Sequence, residues 1–153
     1  MEELPYTLRV ASDCLCSSGE NPRIQVLNNC YNSRYLNELK DATLVVVPLE
    51  AEHISAGQMV LIESMALGKT VLITETDTTR DYVEHNQTAY FVPRGDLEKL
   101  RETIQFFMKH PEERARIGEQ ARQKFQETFS MEAYTQNLLQ LLQDRLESAE
   151  SLS

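Results

Sequence analysis

The sequence predicts an α/β fold: an open parallel sheet with helices on both faces. Leu44-Val-Val-Val-Pro-Leu49 is a nearly unbroken apolar run rich in β-branched residues, the pattern of a strand buried on both sides. The stretch SAGQMVLIESMALGKTVLIT, residues 55–74, reads as a small-residue loop, a short helix, a Gly-Lys turn and a second strand. Short apolar runs alternate with helical stretches along most of the chain, as parallel strands joined by helical crossovers require.

Taken in order, residues 6–11 are expected to form the first strand. Residues 12–23 contain Ser-Ser-Gly and Asn-Pro and read as a loop. A second short strand covers 24–27. Asn32 or Ser33 is suited to cap a helix through 42, with Leu36 and Leu39 inward. The 44–49 strand and a loop over 50–56 lead to the central helix, 58–67, which is apolar almost all round: Met59, Val60, Leu61, Ile62, Met65, Ala66 and Leu67. Gly68 is read as its C-cap, with Lys69 favourable to the negative end of the helix. A strand at 71–74 is followed by a loop over 75–80 and a last strand at 89–92. Asp96 then caps a helix with Leu97, Leu100, Ile104, Phe107 and Met108 on one stripe. Pro111 suits the first turn of another helix, with Ala115, Gly118, Ala121 and Phe125 inward. Ser130 caps the final helix, which gathers Tyr134, Leu138, Leu141 and Leu142 on one side. Residues 147–153 are polar and expected to fray.

With 153 residues, 41% hydrophobic and 25% charged, the chain suits one domain with a proper core. A net charge of −9 and a pI near 4.8 argue against a general nucleic-acid or anionic-membrane binder, which needs a basic face. The first ten residues, MEELPYTLRV, hold two acids and no apolar core, so no signal peptide is read and the expected location is cytoplasmic. Cys14, Cys16 and Cys30 are odd in number, and Cys-x-Cys lacks a second pair to complete a zinc site. His53, His85 and His110 lack metal-ligand spacing, so no metal is expected. Asn86-Gln87-Thr88 matches a glycosylation sequon, read here as a chance match. Gly68-Lys69-Thr70 imitates the end of a phosphate-binding loop, but Glu63 stands where that pattern needs glycine, and a strand rather than a helix follows. The charged stretch 112–124 reads as a solvated helix face with i,i+4 pairs.

One position calls for a chemical account. Glu63 lies in the middle of the apolar helix, and an ionised carboxylate is costly to bury without partners. It either sits at the solvent edge of an ordinary sheet-packing helix or has a ligand. Ser55, Ala56 and Gly57 are small enough for a ligand to approach the backbone, and the first amides of a helix favour anions, phosphate above all. Glu63 falls about 9 Å along the axis from that end, and helical side chains lean toward the N-terminus. An anion on the helix start and hydroxyls on Glu63 would together suit a nucleotide's phosphate and ribose. Arg80, in the loop after the next strand, either meets a phosphate or stays solvated or ion-paired.

At IESMALGKTVLIT, RDYVEHNQTAYFVPRGDLEKL and HPEERARIGEQARQKFQETFS, found in this order, the chain resembles the donor-binding half of retaining GT-B glycosyltransferases of the family 4, or group 1, type. The resemblance spans roughly residues 24–142. It implies a Rossmann-like fold, one half of a GT-B enzyme, acting with an acceptor-binding domain that is not seen in these residues. The implied substrate is a nucleotide sugar, UDP- or GDP-hexose, used without an essential metal; the implied acceptor is a sugar or a lipid-linked sugar, the latter the one link to a membrane. The family's Glu-x7-Glu motif ends at Glu63, implying a ribose contact. Its first Glu falls on Ser55, and its usual Phe-Gly pair falls on Gly57-Gln58. The resemblance therefore implies donor contacts from Ser55, Gly57, Gln58, Met59 and Glu63, names no catalytic acid or base, and places the last helix against the acceptor half. It implies that the isolated chain is inactive as a transferase. A second reading is a non-catalytic binding or interaction domain that kept the fold.

Overall fold

The computed structural model describes residues 6–12, 21–50 and 57–150, without the side chains of 147–150. The chain divides into two compact units, residues 1–41 and 42–153. In the first, β1 (Leu8–Ala11) and β2 (Ile24–Leu27) pair in parallel, Leu8 opposite Ile24 and Ala11 opposite Leu27. The first strand begins two residues later than the apolar pattern suggested. α1 (Asn32–Asp41) is tied to β1 by the Arg9–Glu38 ion pair at 2.8 Å. It buries Leu39 but leaves Leu36 exposed, contrary to expectation. A helical stripe shows which residues share a face, and not how far the covering surface reaches.

The second unit carries the predicted parallel sheet. β3 (Val45–Val47), β4 (Val71–Thr74) and β5 (Tyr90–Val92) lie side by side in that order, all parallel, with Val46, Leu72 and Tyr90 in register. β3 is shorter than the 44–49 run. Pro48 has no amide to continue the ladder, and the Leu49 amide donates to Thr74 Oγ1 instead, at 2.9 Å. The central β4 is buried at every residue, which accounts for its unbroken apolar sequence.

Helices cover both faces. Leu72 and Val92 on one face pack against Phe107 of α4 (Leu97–Lys109) and Ile117 of α5 (Pro111–Lys124). On the other, Val47 lies against the start of α2 (Gln58–Ala66). α2 also packs on α5 and on the π turn Phe125–Phe129, beside its contacts with β3 and β4, so that Met59 is its one exposed residue. Asp96 caps α4 through the Lys99 amide at 2.8 Å, and Pro111 opens α5. Two inward expectations fail: Leu97 is 76% exposed at the first turn of α4, and Ala115 is exposed on α5. The charged face of α5 pairs at i,i+3, through Arg116–Glu113 and Arg122–Glu119, rather than at i,i+4.

The 75–80 segment is not a plain loop. Thr76 caps a short helix, α3 (Asp77–Tyr82), in a reciprocal box: Thr76 Oγ1 accepts from the Thr79 amide at 3.1 Å, and Thr79 Oγ1 accepts from the Thr76 amide at 2.9 Å. Threonine here fills the place of the more usual Glu or Gln, which hid the signal. α6 (Met131–Glu150) follows Ser130, whose hydroxyl accepts from the Ala133 amide at 3.1 Å. The helix runs through residues expected to fray and buries only Ala133 of its first sixteen residues. Tyr134, Leu138, Leu141 and Leu142 all stand exposed. No helix among the described residues is long and apolar enough to cross a membrane.

Candidate functional site

The carboxyl ends of β3 and β4 and the start of α2 form one edge of the second unit, the edge at which open α/β sheets hold their ligands. Gly57 sets the geometry there. Its φ of +78° is left-handed, and a Cβ added to it would lie 2.9 Å from Val47 Cγ1 and 3.3 Å from Leu49 Cδ2. Only glycine lets the chain turn this close to the end of β3. The turn delivers a helix start with no side-chain cap. The first-turn amides of such a helix have no intrahelical carbonyl to bond and point outward along the axis.

Of the predicted contact residues, Gly57, Gln58 and Met59 stand together at this helix start, with Met59 69% exposed. Glu63 follows one and a half turns later and is half-buried. Its neighbours Leu61, Ser64 and Met65 are buried, and Ser64 satisfies its hydroxyl on the Val60 carbonyl at 2.6 Å. Among the described residues, no hydrogen bond or ion pair engages the Glu63 carboxylate. Ser55 and His53 lie outside the described residues, as do Cys14 and Cys16. Arg80 stands apart from this group. It lies on α3 with carboxylate partners of its own, Glu75 at 3.2 Å and Asp77 at 3.7 Å.

The far end of α2 is held firmly. Gly68 takes a φ of +65°, its amide donates to the Met65 carbonyl and the Lys69 amide to Ser64, both at 2.9 Å. These two bonds form a Schellman motif, which satisfies the last carbonyls. Lys69 Nζ donates to the Ala42 carbonyl at 3.0 Å, fixing the turn to the residues before β3. The Gly-Lys pair thus terminates a helix, as its sequence context implied.

A cleft of about 260 Å³ opens at the same strand ends, between Pro48, Thr74, Val92 and Leu100. Its walls are mainly aliphatic and include none of the predicted donor contacts. Sequence reasoning missed Thr74, which holds the Leu49 backbone, and the Val47–Gly57 approach, since neither has a local sequence signal. Among the described residues no group of three His, Cys, Asp or Glu is placed to hold a metal ion. Thr88 of the sequon is buried and its hydroxyl accepts from the Glu84 amide at 2.9 Å, so that residue is part of a turn's internal bonding. His85 likewise serves structure: Nδ1 accepts from the Phe91 amide at 3.1 Å, and the ring stacks on Phe91.

Comparison with known proteins agrees with this architecture. The family described as Glycosyl transferases group 1 matches residues 15–124. Among solved structures, the chain is similar to Anabaena Alr3699/HepE in complex with UDP-glucose, with 19% identity and a TM-score of 0.69 over 81% of this chain and 33% of that one. It is also similar to sucrose-phosphate synthase from Thermosynechococcus elongatus, at 25% identity and a TM-score of 0.66 over 82% of this chain and 31% of that one. A third likeness is the C-terminal domain of the group 1 family protein LpcC from Francisella tularensis, at 15% identity and a TM-score of 0.58, covering 71% and 55%. No curated protein matches significantly. The chain spans about a third of the first two structures. With a GT-B-like parallel sheet, helices on both faces and a family match over most of its length, the chain belongs to the group 1 glycosyl transferases.

Proposed function

We propose that these residues bind the nucleotide-sugar donor of a retaining glycosyltransferase. The observation that carries this reading is Glu63: a half-buried carboxylate in an apolar helix, without a partner among the described residues, one and a half turns from an uncapped helix start. In the proposed complex, Glu63 accepts hydrogen bonds from the ribose hydroxyls. The amides around Gln58 and Met59, presented by the Gly57 turn, stabilise the diphosphate as it takes up the charge of the departing bond. No metal is needed for that step, because the helix-end dipoles act where the charge develops. Ser55 takes the place of the motif's first carboxylate near the sugar. Arg80 reaches a phosphate only by giving up Glu75 and Asp77, which makes it the weakest member of the set. The UDP and UDP-glucose held by HepE support a UDP-hexose over a GDP-hexose.

Transfer also needs an acceptor held beside the donor, and orientation supplies much of the rate. The 153 residues alone therefore bind donor without transferring it, and robust turnover by the pure chain contradicts this. The acceptor, a sugar or lipid-linked sugar, is held by the acceptor half that the family resemblance implies. The replacement of the motif's first Glu by Ser55 favours a second reading, a non-catalytic domain that kept the fold.

Calorimetric titration with UDP, GDP and ADP separates these readings. One nucleotide is expected to bind, and Glu63→Gln is expected to cost about 1.5–3 kcal/mol, the range for hydrogen bonds to a charged group. Binding that survives Glu63→Gln unchanged refutes the ribose contact. Absence of binding by all three supports the non-catalytic reading.

A further inference from the structure

We propose that Thr74 is a positioning residue for the donor site: its hydroxyl fixes Leu49, and through Leu49 it seats the Gly57 turn and the start of α2. The β3–β4 ladder runs from the Val45 amide to the Thr70 carbonyl at 3.1 Å. Continued at the spacing of a parallel pair, it would bring the Leu49 amide to the Thr74 carbonyl. That carbonyl instead accepts from Thr79 Oγ1 at 3.1 Å, and the Leu49 amide donates to Thr74 Oγ1 at 2.9 Å. Every residue offers a carbonyl at position 74, but only serine or threonine offers this oxygen. Arg94 Nη1 adds a second brace one residue on, donating to the Glu50 carbonyl at 3.2 Å.

Thr74 is itself firmly placed, buried on the central strand and opposite Val92 in the ladder. Leu49 passes that placement on. Its Cδ2 atom lies 3.3 Å, and Val47 Cγ1 2.9 Å, from where a Cβ of Gly57 would stand, so these two side chains form the wall against which the chain turns. The Gly57 carbonyl then receives the first bond of α2, from the Leu61 amide at 2.9 Å. Val47 is held by the ladder whatever stands at position 74, whereas Leu49 lies beyond the last paired residue and depends on the hydroxyl. Valine would keep the branched shape of threonine and its fitness for a strand. It would leave the Leu49 amide only the carbonyl that Thr79 already holds, so Leu49 must shift to share it, and half of the wall behind Gly57 moves with it.

This role rests on the donor-binding reading, and two measurements on the whole 153-residue chain keep them apart. In the free chain, Thr74→Val is expected to speed exchange of the Leu61 amide at least ~10-fold, while the Lys69 amide at the far end of α2 changes less than ~3-fold. In titrations, Thr74→Val is expected to weaken UDP about 10-fold but uridine, which lacks the diphosphate, less than ~3-fold. Thr74→Ser keeps the hydroxyl and is expected to restore both readouts. Arg94→Met removes the exposed brace without touching the core, is expected to speed Leu61 exchange at least ~3-fold, and decides the matter should Thr74→Val not fold. Leu61 exchange that stays unchanged in the folded variant overturns the proposal, whether or not a nucleotide binds. An equal loss of UDP and uridine, or a serine variant no better than valine, overturns it too. A parent chain that binds neither ligand refutes the donor-binding reading instead, and Leu61 exchange still decides whether Thr74 seats α2.

Discussion

Gly118 offers a sharp test of how α2 is seated. It lies on α5 where that helix crosses the end of α2, and a Cβ built on it would stand 2.2 Å from the Gly68 carbonyl oxygen and 3.1 Å from its carbon. Both are backbone atoms of the Schellman turn, so no side chain can swing aside. Reaching the lower limit of ordinary contact, 3.4 Å, requires the two segments to part by roughly 1.2 Å, the difference between that figure and 2.2 Å. Gly118→Ala gains about 1 kcal/mol of helix propensity. Against this stands an overpacking cost near or above the upper end of the usual 1–3 kcal/mol, because the obstacle is main chain. The net expectation is a loss of about 2 kcal/mol, equivalent to a fall in Tm of roughly 4–8 °C at this chain length. Urea denaturation followed by circular dichroism measures it. Gly95→Ala is the control: its φ is +72°, but a Cβ there meets nothing within 4 Å, so it carries the left-handed backbone cost alone, about 1–2 kcal/mol. A Gly118→Ala chain as stable as the parent would show that α2 and α5 do not cross this closely.

Three further outcomes follow from the same packing. Gly57→Ala adds a methyl group against Val47 at a left-handed φ, so it is expected to destabilise the fold by about 2–3 kcal/mol; nucleotide titration of the still-folded chain should show weaker binding, since the helix start shifts. Thr79→Val removes a buried hydroxyl that serves the Thr76 amide and the carbonyls of Thr74 and Thr76. A loss of about 1–2 kcal/mol is expected in chemical denaturation, together with faster amide exchange in α3. Phe107→Ala empties the centre of the core cluster and should cost about 3–5 kcal/mol in the same assay.

The strands and most helices were legible because their signals are local. Val45–Val47 and Val71–Thr74 are apolar at almost every residue, and a strand buried on both faces leaves no other pattern. Asp96, Pro111 and Ser130 each open a helix for reasons contained within a few residues. The misreadings share a different cause. Leu36, Leu97 and Ala115 have the right periodicity but lie where the covering elements do not reach, and no helical pattern encodes that reach. The Thr76–Thr79 box looks like a loop in sequence because threonine favours turns and caps alike. At the site, Glu63 stood out as a charge in an apolar run. The Val47 and Leu49 contacts that demand glycine at 57, and the Gly68–Gly118 crossing 50 residues apart, exist only once the chain is folded.

The contrast between the two ends of α2 has a mechanical meaning. Its C-terminal end is bound into a satisfied turn, a lysine anchor and a backbone-to-backbone crossing with α5, while the other end has no side-chain cap. The helix is therefore anchored by hydrogen bonds at its root, and at its first turn by packing against the end of β3. An anion bound at the first turn would add there an electrostatic anchor to match the one that Lys69 gives the root. The amide protection gained on binding would be largest at Gln58 and decay along α2 toward Ala66.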